Sequence, residues 1–213
     1  MFYNLVVMLL KDKLSRYSLV LASKSPRRQQ LLAELGLSFE VRIGDTDDES
    51  FPSSLLPHDV PSYLAQKKAR VLIDGLSPNE ILITSDTIVI CENQILGKPS
   101  SRSEAISTLK MLSGKAHVVV TGVSLTSVDK QKTFSVSTKV YFRNLTPEEI
   151  EFYVDTYKPF DKAGSYGVQE WIGYVGVERI EGSYFNVMGL PVQVLYHELN
   201  HFVDSLYVVT SQT

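Results

Sequence analysis

Three observations predict an α/β protein built on a mixed, twisted sheet with flanking helices. Runs of β-branched and apolar residues alternate with segments of helical period. Two long β-like runs lie next to each other in mid-chain, so part of the sheet must be antiparallel. Helix starts and stops are punctuated by Ser, Thr and Pro on one side and Gly on the other. With 213 residues the chain is long enough for one substantial core. No repeat, low-complexity run or Gly/Ser linker divides it.

The elements follow in order. "MFYNLVVMLLKDKL" is too short to span a bilayer and lacks a basic flank or a nearby cleavage site. Residues 1–18 are therefore expected as an extension, either a short surface helix or a segment ahead of a start at Met8. "YSLVLAS" (17–23) has the composition of a buried strand. In "SPRRQQLLAELG", Ser25 is the expected N-cap, Pro26 the first helical residue and Gly36 the stop. "FEVRI" (39–43) is a second strand, and the acidic, Pro/Ser-rich stretch 44–59 a loop. A helix is expected over 61–74, and a strand, a turn at Glu92-Asn93 and a returning strand over 80–99. Capping boxes pair Ser101 with Glu104 and Thr146 with Glu149, each opening a helix. Between those helices, "AHVVVTGVSLTSV" and "KTFSVSTKVYFRNL" are strands joined at Asp129-Lys130. "DKAGSYGVQ" (161–169) is a glycine-bearing loop, "YVGVERI" (174–180) a strand, and "GLPVQVLYHELNHF" (189–202) closes the chain as a helix starting at Pro191. The working division is one domain over 19–204 and a tail over 205–213.

Composition narrows the functions. Hydrophobic content of 44% and charged content of 21% are ordinary for a globular chain. A net charge of −3 gives no reason to expect nucleic acid or a membrane as partner, so any anion must be held by a local cluster. Cys91 is the only cysteine, which excludes an internal disulfide and a cysteine metal site and fits a reducing, cytoplasmic setting.

Arg27 and Arg28 raise a question of sign. They stand in a helix's first turn, where the macrodipole is positive and a cation costs about 0.3–1 kcal/mol. Either both point into solvent, or an anion sits there, held by guanidinium forks, helix amides and the Ser23 and Ser25 hydroxyls. Asp86 lies within the apolar run "ILITSDTIVIC", where a carboxylate needs a partner or an opening. A tight turn would set Lys98 on a neighbouring strand beside it, and an adjacent Lys keeps a carboxylate ionised for use as a base or metal ligand. Glu49 belongs to the acidic loop, Lys67 and Lys68 to a helix, and Gln169 to the glycine loop. His197, Glu198 and His201 have the H-E-x-x-H spacing of a zinc-binding helix but are read as surface or satisfied residues, and there is no phosphate-binding glycine motif or nucleophile-elbow serine. Two Arg at a helix start, several Lys and two carboxylates are together the inventory of metal-assisted phosphoanhydride hydrolysis.

"LASKSPRRQQLL", "AQKKA", "SDTIV", "LGKP", "LSGKAHVVVTGV", "DKAGSYGVQ" and "IEGSYFNVMGLP", in that order, resemble the Maf family of nucleoside triphosphate pyrophosphatases. The resemblance runs from about residue 19 to about residue 200. It implies an elongated, two-lobed fold like that of inosine-triphosphatase-type enzymes, with a central cleft. It also implies cleavage of a nucleoside triphosphate to monophosphate and pyrophosphate with Mg²⁺ or Mn²⁺. Carried over by motif, Asp86 is the general base, Ser23, Arg27, Arg28, Lys68 and Lys98 bind phosphate, and Glu49 joins Asp86 at the metal. The loop form resembles the subfamily acting on dTTP and UTP, in which Arg27, Thr87 and Gln169 mark specificity. A glutamine amide suits the imide edge of thymine or uracil, and 5-methyl-UTP fits the same logic. The alternatives are the same reaction on 7-methyl-GTP, or a nucleotide-binding regulator of cell division. A homodimer would be in keeping with the family. Ser85 and Glu170 depart from the usual pattern, the first adding a hydroxyl beside the base, the second a charge beside the specificity loop.

Overall fold

The computed structural model describes residues 9–44 and 48–210, and of residues 208–210 only the backbone. The expectations for Met8, for Asp45 and Asp47 of the acidic loop and for residues 211–213 lie outside the described residues. Helix α1 (Leu10–Lys13) leads into β1 (Ser18–Ala22), α2 (Pro26–Ala33), β2 (Phe39–Val41) and α3 (Val60–Leu72). Then come β3 (Glu80–Cys91), β4 (Gln94–Leu96), α4 (Arg102–Leu112), β5 (Ala116–Thr126) and β6 (Gln131–Phe142). The chain closes with α5 (Pro147–Tyr157), α6 (Trp171–Gly176), β7 (Val177–Glu181), α7 (Tyr184–Met188) and α8 (Val192–Thr210).

Among the described residues the strands form a single sheet in the order β2-β1-β3-β5-β6-β7. β1 runs parallel to β2 and β3, and the remaining pairs are antiparallel, which is the mixed sheet expected of helical crossovers followed by hairpins. Alternation along the strands sorts the core. Leu19, Leu21, Ile81, Ile83 and Leu125 face the large cluster shared with Leu109, Leu195 and Phe202. Val20 and Leu82 face α3 through Ala69 on the opposite side. Helices therefore cover both faces.

One irregularity positions everything that follows. β1 leaves β3 at the pair Ala22–Thr84, and β4 joins the same edge only at Val89–Leu96. Residues 85–88 are thus paired on the β5 side alone, and the sheet has an opening beside them. Because β3 alternates, Asp86 shares the α3 face with Thr84, whose hydroxyl donates to Ala65 O at 2.7 Å. Ser85 and Thr87 turn to the opposite face.

Several elements differ from expectation. The closing helix starts at Val192 and runs on to Thr210, through residues assigned to a tail. It continues because α1 packs on it: Lys13 pairs with Asp204 at 2.7 Å, and Tyr207 Oη donates to Lys13 O at 2.6 Å. The strand expected from 174 begins at Val177, since residues 171–176 are helical and a Cβ at Gly173 would lie 1.9 Å from Val168 O. Ser25 stands at the N-cap of α2 but makes no side-chain cap; the Ser23 hydroxyl accepts the Ser25 N–H instead, at 3.2 Å. The box at Thr146 and Glu149 is complete, whereas the Glu104 carboxylate turns to the N–H and hydroxyl of Ser100. Glu92 and Asn93 both take positive φ, as a tight hairpin turn requires.

Candidate active site

The opening in the sheet leads into a cleft of about 500 Å³. Cationic side chains of Lys24, Arg27, Arg28, Lys68, Lys98 and Lys162 line it, against the acids Glu49, Asp86 and Asp161. A chain with net charge −3 thus carries an excess of positive charge in its main hollow. Concave walls of low dielectric focus such a field on an anionic ligand.

Asp86 is buried, and its Oδ1 lies 2.5 Å from Lys68 Nζ on α3. Lys68 faces inward while Lys67, one residue earlier, turns to the loop and binds Asp48 at 2.6 Å and Ser50 O at 2.9 Å. The expected neighbour of Asp86, Lys98, is in the cleft but does not pair with it. β4 stops at Leu96, and the Lys98 ammonium pairs with Glu49 instead. Glu49 Oε1 also stands 3.8 Å from Lys68 Nζ, so both carboxylates converge on one ammonium.

Gly122 makes that convergence geometrically accessible. It is the cross-strand partner of Asp86 on β5, and a Cβ there would lie 2.3–2.4 Å from the backbone of Pro61 and Ser62. Only glycine lets the start of α3 come this close to the sheet.

On the other face, Arg28 reaches from α2 across the opening. Its Nε donates to Gly189 O, its Nη1 to Ser85 O and its Nη2 to Thr87 Oγ1, each at 2.9 Å. All three acceptors are neutral. Burial pulls the Arg28 guanidinium below its usual range, and the Asp86 and Glu49 carboxylates oppose that pull. Thr87 is accordingly fixed, also sharing a hydrogen bond with Thr121 at 3.0 Å. Arg27 is freer, with Asp161 at 3.5 Å. Ser23 is buried at the mouth of α2. The Ser85 hydroxyl is buried with no hydrogen-bond partner among the described residues, and it faces away from Asp86.

The loop after α5 forms the remaining wall and presents Gln169 to the cleft. Sequence reading overlooked Lys162 here. It is buried, 2.6 Å from Asp161 and 3.0 Å from Glu170. A lysine between an acid and "AGSYG" was visible, but only the fold shows that it is buried. Glu170 does not line the cleft; its charge is turned inward to Lys162 and Tyr153. Tyr166 Oη bonds His117 Nε2 at 2.8 Å, and burial pushes the His117 imidazole down to about 4. Tyr166 is held there by edge-on packing with His117 and Phe142.

The cleft can therefore bind an extended polyanion on its cations and present Asp86 to a reacting group between them. Among the described residues no three His, Cys, Asp or Glu side chains converge as a metal site. Glu49 and Asp86 are an oxygen-only pair suited to a hard divalent cation that keeps water and phosphate oxygens as its other ligands.

Several known proteins are similar to this chain. A family model described as Maf-like protein matches residues 18–202. The chain is 51% identical over 191 residues to the dTTP/UTP pyrophosphatase of Parabacteroides distasonis, covering 90% of this chain and 99% of that one. It is 54% identical over 186 residues to the dTTP/UTP pyrophosphatase of Bacteroides fragilis, covering 87% and 96%. Among solved structures, a HAM1 protein from Coxiella burnetii is similar at a TM-score of 0.42 and 14% identity, covering 92% and 100%.

Proposed function

The chain belongs to the Maf family, and from that premise we propose that its cleft hydrolyses dTTP and UTP, with 5-methyl-UTP as a further substrate, to the nucleoside monophosphate and pyrophosphate. One observation carries the reading. A carboxylate with a lysine partner sits in a gap of the sheet, and two arginines reach the same hollow from the opposite face. That is the disposition needed to hold a triphosphate in front of a base.

In this mechanism Asp86 accepts a proton from the attacking water, and the anhydride bond between α and β phosphates breaks as pyrophosphate leaves. Lys68 orients the carboxylate and offsets its charge. Arg27, Lys98 and the two N–H groups that Arg28 leaves uncommitted gather the negative charge of the phosphates, with Ser23 at the helix mouth. The uncapped start of α2 adds backbone N–H donors. Glu49 and Asp86 would hold Mg²⁺ or Mn²⁺, which when bound supplies charge neutralisation and Lewis acidity at the phosphates. Gln169 and Thr87 face the base, the amide matching the imide edge of uracil and thymine.

The test is a nucleotide panel at equal concentration with Mg²⁺ and with Mn²⁺, reading monophosphate and pyrophosphate together. Turnover of dTTP and UTP above the others is expected, whereas dominant turnover of 7-methyl-GTP would reverse the base assignment. Asp86→Asn is expected to keep triphosphate affinity and lower kcat about 10²–10⁴-fold. Unchanged pyrophosphate release would remove Asp86 from the role, and absence of turnover in the native protein would leave a nucleotide-binding regulator.

A further inference from the structure

Gln169 occupies the third position of a four-residue turn, and its side chain makes no hydrogen bond to any described residue. Its placement must come from the turn. The turn is closed once by its backbone, with Glu170 N–H donating to Gly167 O at 3.0 Å. It is closed a second time by Tyr153, whose hydroxyl accepts the Gly167 N–H at 3.0 Å and donates to Glu170 Oε2. Tyr153 is a rigid post: it is fully buried on α5 and stacks on Tyr157 at 5.1 Å. The other carboxylate oxygen of Glu170 meets Lys162 Nζ at 3.0 Å, which ties the turn to the start of its own loop. A Cβ at Gly167 would lie 2.8–3.1 Å from the Glu170 carboxyl group, so a side chain there would displace that group from its place in the turn.

We propose that Tyr153 and Glu170 form a clasp that sets Gln169 against the base, making them positioning residues for base selectivity although neither lines the cleft. The inference rests on the reading of Gln169 given above. Lys162 supplies the counter-charge for the half-buried Glu170 carboxylate. Burial, and then the adjacent carboxylate, push the Tyr153 hydroxyl far above its usual range, so it stays a donor.

The experiment compares Tyr153→Phe, Glu170→Ala, Glu170→Gln and Gln169→Ala with the native enzyme. Read out are kcat/KM for UTP and for CTP, whose pairing edge exchanges donor and acceptor, inhibition by inorganic triphosphate, and thermal melting. Tyr153→Phe and Glu170→Ala are expected to lower the UTP-to-CTP ratio about tenfold, while inhibition by inorganic triphosphate stays unchanged. Glu170→Gln retains the acceptor for Tyr153 and is expected to restore most of the ratio. Combining Tyr153→Phe with Gln169→Ala should cost no selectivity beyond Gln169→Ala alone, which general destabilisation would not produce. Glu170→Ala alters a partly exposed side chain, so it carries the test if Tyr153→Phe does not fold. A ratio unmoved in the folded clasp variants but lowered by Gln169→Ala would overturn the clasp and leave the Gln169 reading standing. A ratio unmoved by Gln169→Ala would overturn both.

Discussion

Arg27 and Arg28 are adjacent and chemically identical, yet the fold gives them different work. Arg28 donates to two carbonyls and a hydroxyl, clamping α2 to β3 and to Gly189, whereas among the described residues Arg27 has only Asp161 at 3.5 Å. A lysine cannot span three acceptors in one plane. Arg28→Lys is therefore expected to lower stability by about 2 kcal/mol and also to weaken triphosphate binding, measurable as a lower melting temperature together with a higher KM. Arg27→Ala should raise KM while stability changes by no more than about 0.5 kcal/mol, since its one partner is exposed and distant. Equal melting losses in the two variants would refute the division. The sign puzzle in the first turn is resolved by the same facts: Arg28 finds carbonyl dipoles, and the excess positive charge faces the cleft.

At the scale of elements, the site depends on how close α3 comes to the sheet. Gly122→Ala must push the start of α3 away from β5, because the added methyl meets backbone rather than a movable side chain. A loss of about 1–3 kcal/mol is expected, with a fall in kcat as Lys68 retreats from Asp86. Full activity with unchanged melting would show that α3 accommodates the methyl without moving. Elements with strong local signals were legible in advance: the hairpin turn at Glu92-Asn93, the box at Thr146 and Glu149, the periodic α3. Elements set by neighbours were not. Nothing in residues 203–210 announces a helix contact as clearly as α1 packing on them does, and the helical turn at 171–176 depends on its fit against Val168.

At the scale of the whole molecule, acid stability reports on two buried arrangements. His117 has its pKa lowered from 6.5 to about 4 by burial, so between those values the unfolded chain binds the extra proton. Stability is then full above about pH 6.5 and falls as pH drops toward 4, by roughly 3 kcal/mol in all. Glu80 is held at about 2, below its usual 4.5, chiefly by the Arg42 fork at 2.6 and 3.0 Å. Its contribution is full above 4.5 and lost as pH falls toward 2. Denaturation followed from pH 7 to 4 should show a slope that His117→Gln flattens; an unaltered slope would place the titration elsewhere. The charge map also belongs to this scale, since a chain of net negative charge places more cations than acids around this cleft.

The sequence by itself determined the α/β class, most strands and helix starts, and the types of charged residue that line the cleft, because these are written in local periodicity, capping chemistry and the oddity of a charge in an apolar run. Only the tertiary structure decided the pairing of charges: Asp86 with Lys68, Lys98 with Glu49, Lys162 with Glu170, and three of the Arg28 N–H groups with two carbonyls and a hydroxyl. Those choices follow from which strand stops first at the opening in the sheet and how near α3 approaches through Gly122. Distances between residues far apart in the chain are fixed by packing, and no local spacing encodes them.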